Sequence, residues 1–444
     1  MEGNVSSAHN GAVIGHFLVE NHPKSGCFST LKRRHITPYV QAALRDTPVV
    51  FLQGPRQAGK TTLVQSLKED GHDAAYFTFD DAAVLAAAQS DADGFVANLP
   101  NKVILDEVQR VPDLFRAIKR SVDTQRQPGR FLLTGSANAL VLPKVSESLA
   151  GRMEVLSLSP FSQGEIESHR EHFVDACFAK DFSPGNYKDS GWAALVERIV
   201  QGGYPEVITR PAGARRQAWF GSYVTTILER DVRDIANVQG LRELPRLLRL
   251  AAARASGLLN FADLARDAAL PQTTLQRYWA LFEATFLVRG LPAWTANLGT
   301  RLVKSPKVML GDTGLLCYLL GLDVERLKND ALMTGAVLEA FVGTELTKQI
   351  TWSETRPTLF HYRTHTQHEV DFVLEDAAGH LVGIEVKKSA SPSAGDFKGL
   401  HHFREAVGKR FLRGILLYTG ASSVAFAPDM HAVPVSALWR MASR

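Results

Sequence analysis

Apolar residues fall into short unbroken runs through the first third of the chain. Ile36 to Leu44 has the spacing of an amphipathic helix, and Val49 to Gln53 is an apolar run that stops at Gly54, which predicts helix and then strand. Further runs, Ala74 to Phe79, Val103 to Leu105, Phe131 to Leu133 and Val155 to Leu158, recur at intervals that fit crossover helices. Strands that are apolar along their whole length and alternate with helical spacing predict an α/β fold with a parallel sheet.

After Pro160 the pattern lengthens into helices, Trp192 to Val200 and Arg216 to Ile235, broken by Gly202, Gly203 and Pro205, as in a helical lid. Leu241 to Pro292 has the spacing of three short helices, and Leu291 to Trp294 can open a β-wing. From near Pro306 the order is helix (Leu338 to Ile350) and then strands at Leu359 to Tyr362, Val370 to Leu374, Leu381 to Val386 and Gly414 to Tyr418. Residues 1–30, mostly Gly, Ser, Asn and His without periodicity, read as a disordered tail. The expected units are a nucleotide-binding core (31–165), a lid (166–237), a winged-helix-like domain (238–300) and a C-terminal α/β domain (301–444).

Chemistry enters at the end of the first strand. Gly54, Pro55, Arg56, Gln57, Ala58, Gly59, Lys60 and Thr61, followed by Thr62, fit G-x-x-x-x-G-K-[ST] between a strand and a helix. Such a loop wraps backbone N–H groups around phosphate, Lys60 reaches the terminal phosphates, and the Thr61 hydroxyl can ligate Mg²⁺. Asp106 and Glu107 close a second strand, where Asp106 would steady the metal and Glu107 would activate water. The branch of ATPases that uses such a glutamate has an extra strand between its phosphate motifs, and Ala74 to Phe79 can be that strand. Ser136, in Thr134-Gly135-Ser136, is the candidate γ-phosphate sensor, and Arg152 and Arg230 are candidates for an arginine that spreads γ-phosphate charge, from this chain or a neighbouring subunit.

These motifs, with Gly202-Gly203-Tyr204-Pro205, Glu229-Arg230-Asp231-Val232, Asp312-Thr313-Gly314-Leu315 and Ile384-Glu385-Val386-Lys387, resemble the prokaryotic AAA-type ATPases that carry a C-terminal domain of unknown function. The resemblance spans about residues 36 to 420. It implies an ATPase core, a winged-helix-like middle and a restriction-endonuclease-like C-terminal fold.

In the middle segment Thr273, Thr274, Gln276 and Arg277 would lead a recognition helix, suited either to DNA or to packing against protein. Arg242, Arg246, Arg249 and Arg254 could grip phosphates or simply form a solvated face. In the C-terminal segment the period of two puts Glu385 and Lys387 on one side of a strand, within reach of Asp371 on its neighbour, with Glu339 supplied by the preceding helix. That is the layout of a metal-dependent nuclease site, and equally of a hairpin with cross-strand ion pairs.

Composition narrows the classes. At 444 residues with 45% hydrophobic and 22% charged residues the chain is multi-domain and able to bury large cores. No apolar stretch approaches the roughly 20 residues that cross a bilayer, so a soluble cytoplasmic protein is expected. Cys27, Cys177 and Cys317 are too few and too scattered for a disulfide framework or a zinc site. The net charge of +4 permits a polyanion without requiring one. The expected activity is Mg²⁺-dependent ATP hydrolysis coupled to a nucleic-acid-facing, nuclease-like domain, with ATP as ligand, DNA as candidate partner and a homo-oligomer as candidate state. The alternative is a nucleotide-dependent switch that binds DNA or protein and cuts nothing.

Overall fold

In a computed structural model, which describes residues 32–138, 149–187, 191–232 and 242–442, the five early apolar runs are strands. They are β1 (Val49–Gln53), β2 (Ala75–Thr78), β3 (Val103–Asp106), β4 (Phe131–Gly135) and β5 (Met153–Ser157). All pair in parallel, in the order β2-β3-β4-β1-β5. Successive side chains leave opposite faces: Val49, Phe51, Leu105, Phe131 and Leu133 enter one core, and Val50, Leu52, Ile104 and Leu132 enter another. Because both faces are covered, the strands read as continuous apolar runs.

The strand order corrects one expectation. Ala74 to Phe79 does not separate the two phosphate motifs; β2 lies at the sheet edge beyond β3, and β4 is the strand between β1 and β3. Burial explains the exchange, since every residue of β4 is buried while β2 is half-buried along its length, as suits an edge. Thr134 and Ser136 are therefore delivered between the phosphate loop and the acidic pair. Cys27, residues 1–30 and the end of the Arg216 to Ile235 segment lie outside the described residues.

Helices Gly191–Gln201 and Ala214–Thr226 follow, the second running into a wider π-type turn at Ile227–Asp231. Leu244–Ala252, Phe261–Ala268 and Gln272–Ala284 are the three short middle helices. They lead to β6 (Val288–Leu291), which pairs antiparallel with β7 (Lys307–Leu310), so one ladder spans the boundary expected at 301. The long helix Ala331–Ile350 precedes β8 (Thr358–Arg363), β9 (Glu369–Glu375), β10 (Leu381–Lys387), β11 (Phe411–Tyr418), β12 (Val424–Ala427) and β13 (Met430–Pro434). These strands form a six-stranded mixed sheet in the order β12-β13-β11-β10-β9-β8. A single core running from Phe173 to Met441 joins the lid, the middle helices and one face of this sheet through residues such as Tyr204, Phe220, Leu316, Phe341 and Ile384. Helix Lys398–Val407 covers the other face with Leu400 and Phe403. Cys177 and Cys317 are free and buried.

Candidate functional site: a phosphate loop, an acidic pair and a remote acidic cleft

The loop after β1 turns into helix Lys60–Glu69 through Gly59, whose φ of +95° is open to glycine and strained for other residues. Gly54 is fixed by space, because a Cβ there would come 2.1 Å from the Leu158 carbonyl oxygen on the β5 side. Lys60 folds over the loop and donates from Nζ to the carbonyls of Gly54 (2.9 Å) and Pro55 (3.0 Å). Burial pulls its ammonium below the usual lysine range, with Glu107 and Asp106 opposing that shift.

The sheet order brings the remaining polar groups to the same edge. Thr61 Oγ1 donates to Asp106 Oδ2 at 2.9 Å, Tyr76 donates to the same oxygen at 2.6 Å, and Thr134 donates to Oδ1. Thr61 and Asp106 are thus a hydroxyl and a carboxylate in contact, a pair that can hold a hard cation with its water shell. Glu107 sits in the left-handed region (φ +61°), an uncommon setting for a non-glycine residue. Its amide donates to Thr134 Oγ1 (3.2 Å), and its carboxylate accepts from Ser136 Oγ (3.0 Å) and from Gln109. Gln109 also donates to Ser136 (2.9 Å), so the carboxylate is aimed by a closed ring of hydrogen bonds.

The arginines divide. Arg152 precedes β5 beside Val49, at the start of the parallel ladder, with Nε 2.5 Å from Asp123. A strand of five residues, roughly 15 Å, separates it from the phosphate loop, which corrects the expectation of a γ-phosphate contact within its own chain. Arg230 lies on the loop's side of the sheet, 3.4 Å from Asp80, which Arg110 also engages at 2.9 Å. Its neighbour Asp231 does more: Oδ1 pairs with Arg56 of the loop at 2.8 Å, while Oδ2 is buried without a hydrogen-bond partner. Burial raises the Asp231 carboxyl above the usual range, with Arg56 opposing. Tyr223 adds a second tie from the lid, donating to the Arg56 carbonyl at 3.4 Å while meeting Tyr204 at 2.8 Å.

A buried polar path leaves the loop on the other side. Arg34 Nη1 donates to the Ala58 carbonyl (2.7 Å) and Nε to Glu165 (3.1 Å). Glu165 closes a capping box with Ser162, whose hydroxyl donates to Glu171 (2.7 Å). The next backbone N–H, that of Gln163, donates to Glu345 on the long helix (2.9 Å), and Lys348 one turn on donates to the Phe161 carbonyl (3.0 Å) and to Glu345 (2.7 Å). Burial pushes Glu171 up to about 7, with the His35 contact at 3.1 Å opposing the shift.

The C-terminal residues Glu339, Asp371, Glu385 and Lys387 do assemble. Glu385 Oε2 is 3.8 Å from Lys387 Nζ, Asp371 Oδ2 accepts from the Val386 amide (2.9 Å), and Asp371, Glu385 and Lys387 line a polar cleft of about 380 Å³ with Glu369, His368 and Lys398. Beneath it lies a residue that the sequence did not flag. Lys307, 1% exposed, places Nζ 2.8 Å from Glu339, 2.6 Å from Glu369 and 3.5 Å from Asp371. Burial alone would lower its pKa, yet the three carboxylates outweigh it and hold the ammonium above its ordinary range. Burial and the Asp371 charge push Glu339 up to about 8, and the same causes hold Glu385 well above the carboxylate range. Among the described residues no group of three or more His, Cys, Asp or Glu side chains is arranged to hold a metal ion, and no helix is long and apolar enough to cross a membrane.

Arg34, Gln109, Asp231 and Lys307 are thus site residues that sequence reasoning missed. Asp231 stood inside a motif already singled out, next to Arg230, and Gln109 follows Glu107 by two positions. Arg34 belongs to a basic stretch just ahead of the first helix, and Lys307 looks like an ordinary strand-leading lysine.

Three stretches of the chain match known domain families. Residues 46–167 match an AAA domain, residues 193–326 a domain of unknown function (DUF8612), and residues 334–438 a second domain of unknown function (DUF4143). Uncharacterized protein Rv2008c of Mycobacterium tuberculosis is 33% identical over 364 residues, covering 82% of this chain and 75% of that protein, and Mb2031c of Mycobacterium bovis matches to the same extent. Among solved structures, a Walker-type ATPase of Pyrococcus abyssi has a TM-score of 0.40 at 13% identity, covering 64% of this chain and 94% of its own.

Proposed function

From the premise that this chain belongs to the same family as the two mycobacterial proteins and is an ATP-binding protein of the AAA ATPase type, we propose that it hydrolyses ATP and passes its nucleotide state to the C-terminal cleft. In this reading Lys60 leaves the Gly54 and Pro55 carbonyls for the β- and γ-phosphates, and the amides at the start of its helix bind the same anion. Thr61 and Asp106 would hold a magnesium ion, which would supply positive charge beside those phosphate oxygens. Glu107, aimed by Gln109 and Ser136, takes a proton from the attacking water while Ser136 reports the γ-phosphate. Arg152 lies at the end of the sheet opposite its own loop, so a second copy would have to bring it to the site.

The observation that carries the coupling is the buried path from the Ala58 carbonyl through Arg34, Glu165 and the Ser162–Gln163 turn to Glu345 and Lys348. Those residues share a helix with Glu339, which pairs with Lys307 beneath the cleft, so a shift of the loop reaches the cleft through one rigid element and that lysine. Nucleic acid is the proposed partner, on the exposed Thr273, Gln276 and Arg277 of the middle domain, which we read as winged-helix-like, and on the Lys387 and Lys398 side of a restriction-endonuclease-like C-terminal domain. The test is hydrogen exchange in Glu107→Gln, which should trap ATP. Added ATP should slow exchange in 331–350, and DNA or RNA should change ATP turnover in the wild type. Unchanged exchange in that helix defeats the coupling.

The buried Lys307 ammonium favours the non-cleaving reading of the C-terminal domain. Plasmid and oligonucleotide substrates with Mg²⁺ or Mn²⁺ should stay intact; cutting that Glu385→Ala abolishes would restore the nuclease reading.

A further inference from the structure

A restriction-endonuclease-like domain implies a divalent ion held by its carboxylates, and the donor set itself tests whether one fits. Mg²⁺ and Mn²⁺ need about six oxygen ligands in near-octahedral array, with carboxylate lone pairs free to bind. Here a buried cation already stands among those carboxylates. Lys307 Nζ lies 2.8 Å from Glu339 Oε1, 2.6 Å from Glu369 Oε1 and 3.5 Å from Asp371 Oδ1, and the other Asp371 oxygen accepts from the Val386 amide at 2.9 Å. Glu385, the remaining carboxylate, lies 3.8 Å from the Lys387 ammonium.

Nor can the lysine swing aside as a surface side chain would. Its backbone is locked in β7, in register with Leu291 of β6 and bridged to Leu258, and its side chain is 1% exposed. A divalent ion on Asp371 would sit against a fixed like charge with little water to screen it. The residues present do not fit the ion.

We propose that the Lys307 ammonium is the resident cation of this acid cluster, standing where a nuclease holds a metal, and that the C-terminal cleft is a metal-independent binding surface. The proposal deepens the non-cleaving reading above and is independent of the phosphate loop. Its test is Mn²⁺ stoichiometry, measured by electron paramagnetic resonance on the full-length, nucleotide-free protein. Any ion held at Thr61 and Asp106 is common to all variants, so only differences count. Wild type and Asp371→Asn should bind the same number of Mn²⁺ ions. Lys307→Met should gain one, and Lys307→Met with Asp371→Asn should lose it again. A wild type that binds one more Mn²⁺ than Asp371→Asn overturns the proposal, as does a folded Lys307→Met that gains none. Should Lys307→Met fail to fold, wild type against Asp371→Asn decides alone. The hydrogen-exchange test of coupling can fail without touching this result, and the reverse also holds.

Discussion

Single residues at the phosphate loop are set up by burial and by the direction of their hydrogen bonds. Lys60 is a buried ammonium satisfied by two loop carbonyls, so its removal takes away the ammonium that would reach the terminal phosphates. Lys60→Ala should abolish ATP binding in a fluorescent-nucleotide titration. Glu107→Gln keeps the shape of the Ser136 and Gln109 ring but cannot take a proton; binding should persist while turnover falls at least about 100-fold. Equal turnover would remove Glu107 from the mechanism. Glu171 gives a pH signature. Its carboxyl is held at about 7 against an ordinary 4.5, so the folded state binds that proton more tightly than the unfolded one. The stability it contributes is full below pH 4.5 and is lost as pH rises through about 7. Thermal midpoints should therefore drop between pH 5 and 8, and Glu171→Gln should flatten the slope.

Between elements, the contacts that matter are close backbone approaches held by buried acids. Asp312 caps helix Thr313–Leu320 by accepting from the Leu315 amide (3.0 Å) and also accepts from the Gly203 amide (2.7 Å), while Gly203 in turn accepts from the Phe161 amide (2.8 Å). A Cβ on Gly203 would meet the Phe161 oxygen at 2.2 Å, and one on Gly202 would meet Asp312 at 2.2 Å. The two motifs, Gly-Gly-Tyr-Pro and Asp-Thr-Gly-Leu, are thus two halves of one joint between core, lid and helix Thr313–Leu320. Asp312→Ala leaves buried amides without acceptors and should cost about 1–3 kcal/mol for each, seen as a loss of several degrees in thermal midpoint. No change in midpoint would mean that the joint is held by packing alone.

At the scale of the whole molecule, one core from Phe173 to Met441 makes lid, middle and C-terminal sheet a single packed body, and Arg34 is one polar link from the phosphate loop toward it. Arg34→Met should keep nucleotide affinity within a few-fold yet lose ATP-dependent protection of 331–350. Retained protection would mean that the signal travels through the Arg56–Asp231 pair instead. The sequence determined by itself whatever is local: the loop from Gly54 to Thr62 is contiguous, its glycines answer to backbone geometry, and continuous apolar runs suffice to predict a doubly covered parallel sheet. The six-stranded sheet was legible only in its four longest strands, since β12 is short and mostly exposed and β13 is a brief strand that pairs beside it. Tertiary structure alone decided which strand lies between the two phosphate motifs, that Arg152 lies at the end of the sheet opposite its own loop, and that Lys307 sits among three acids. The physical reason is that period and propensity fix how a segment folds, whereas partners such as Arg34 and Glu165, 131 positions apart, meet only once packing has chosen the strand order.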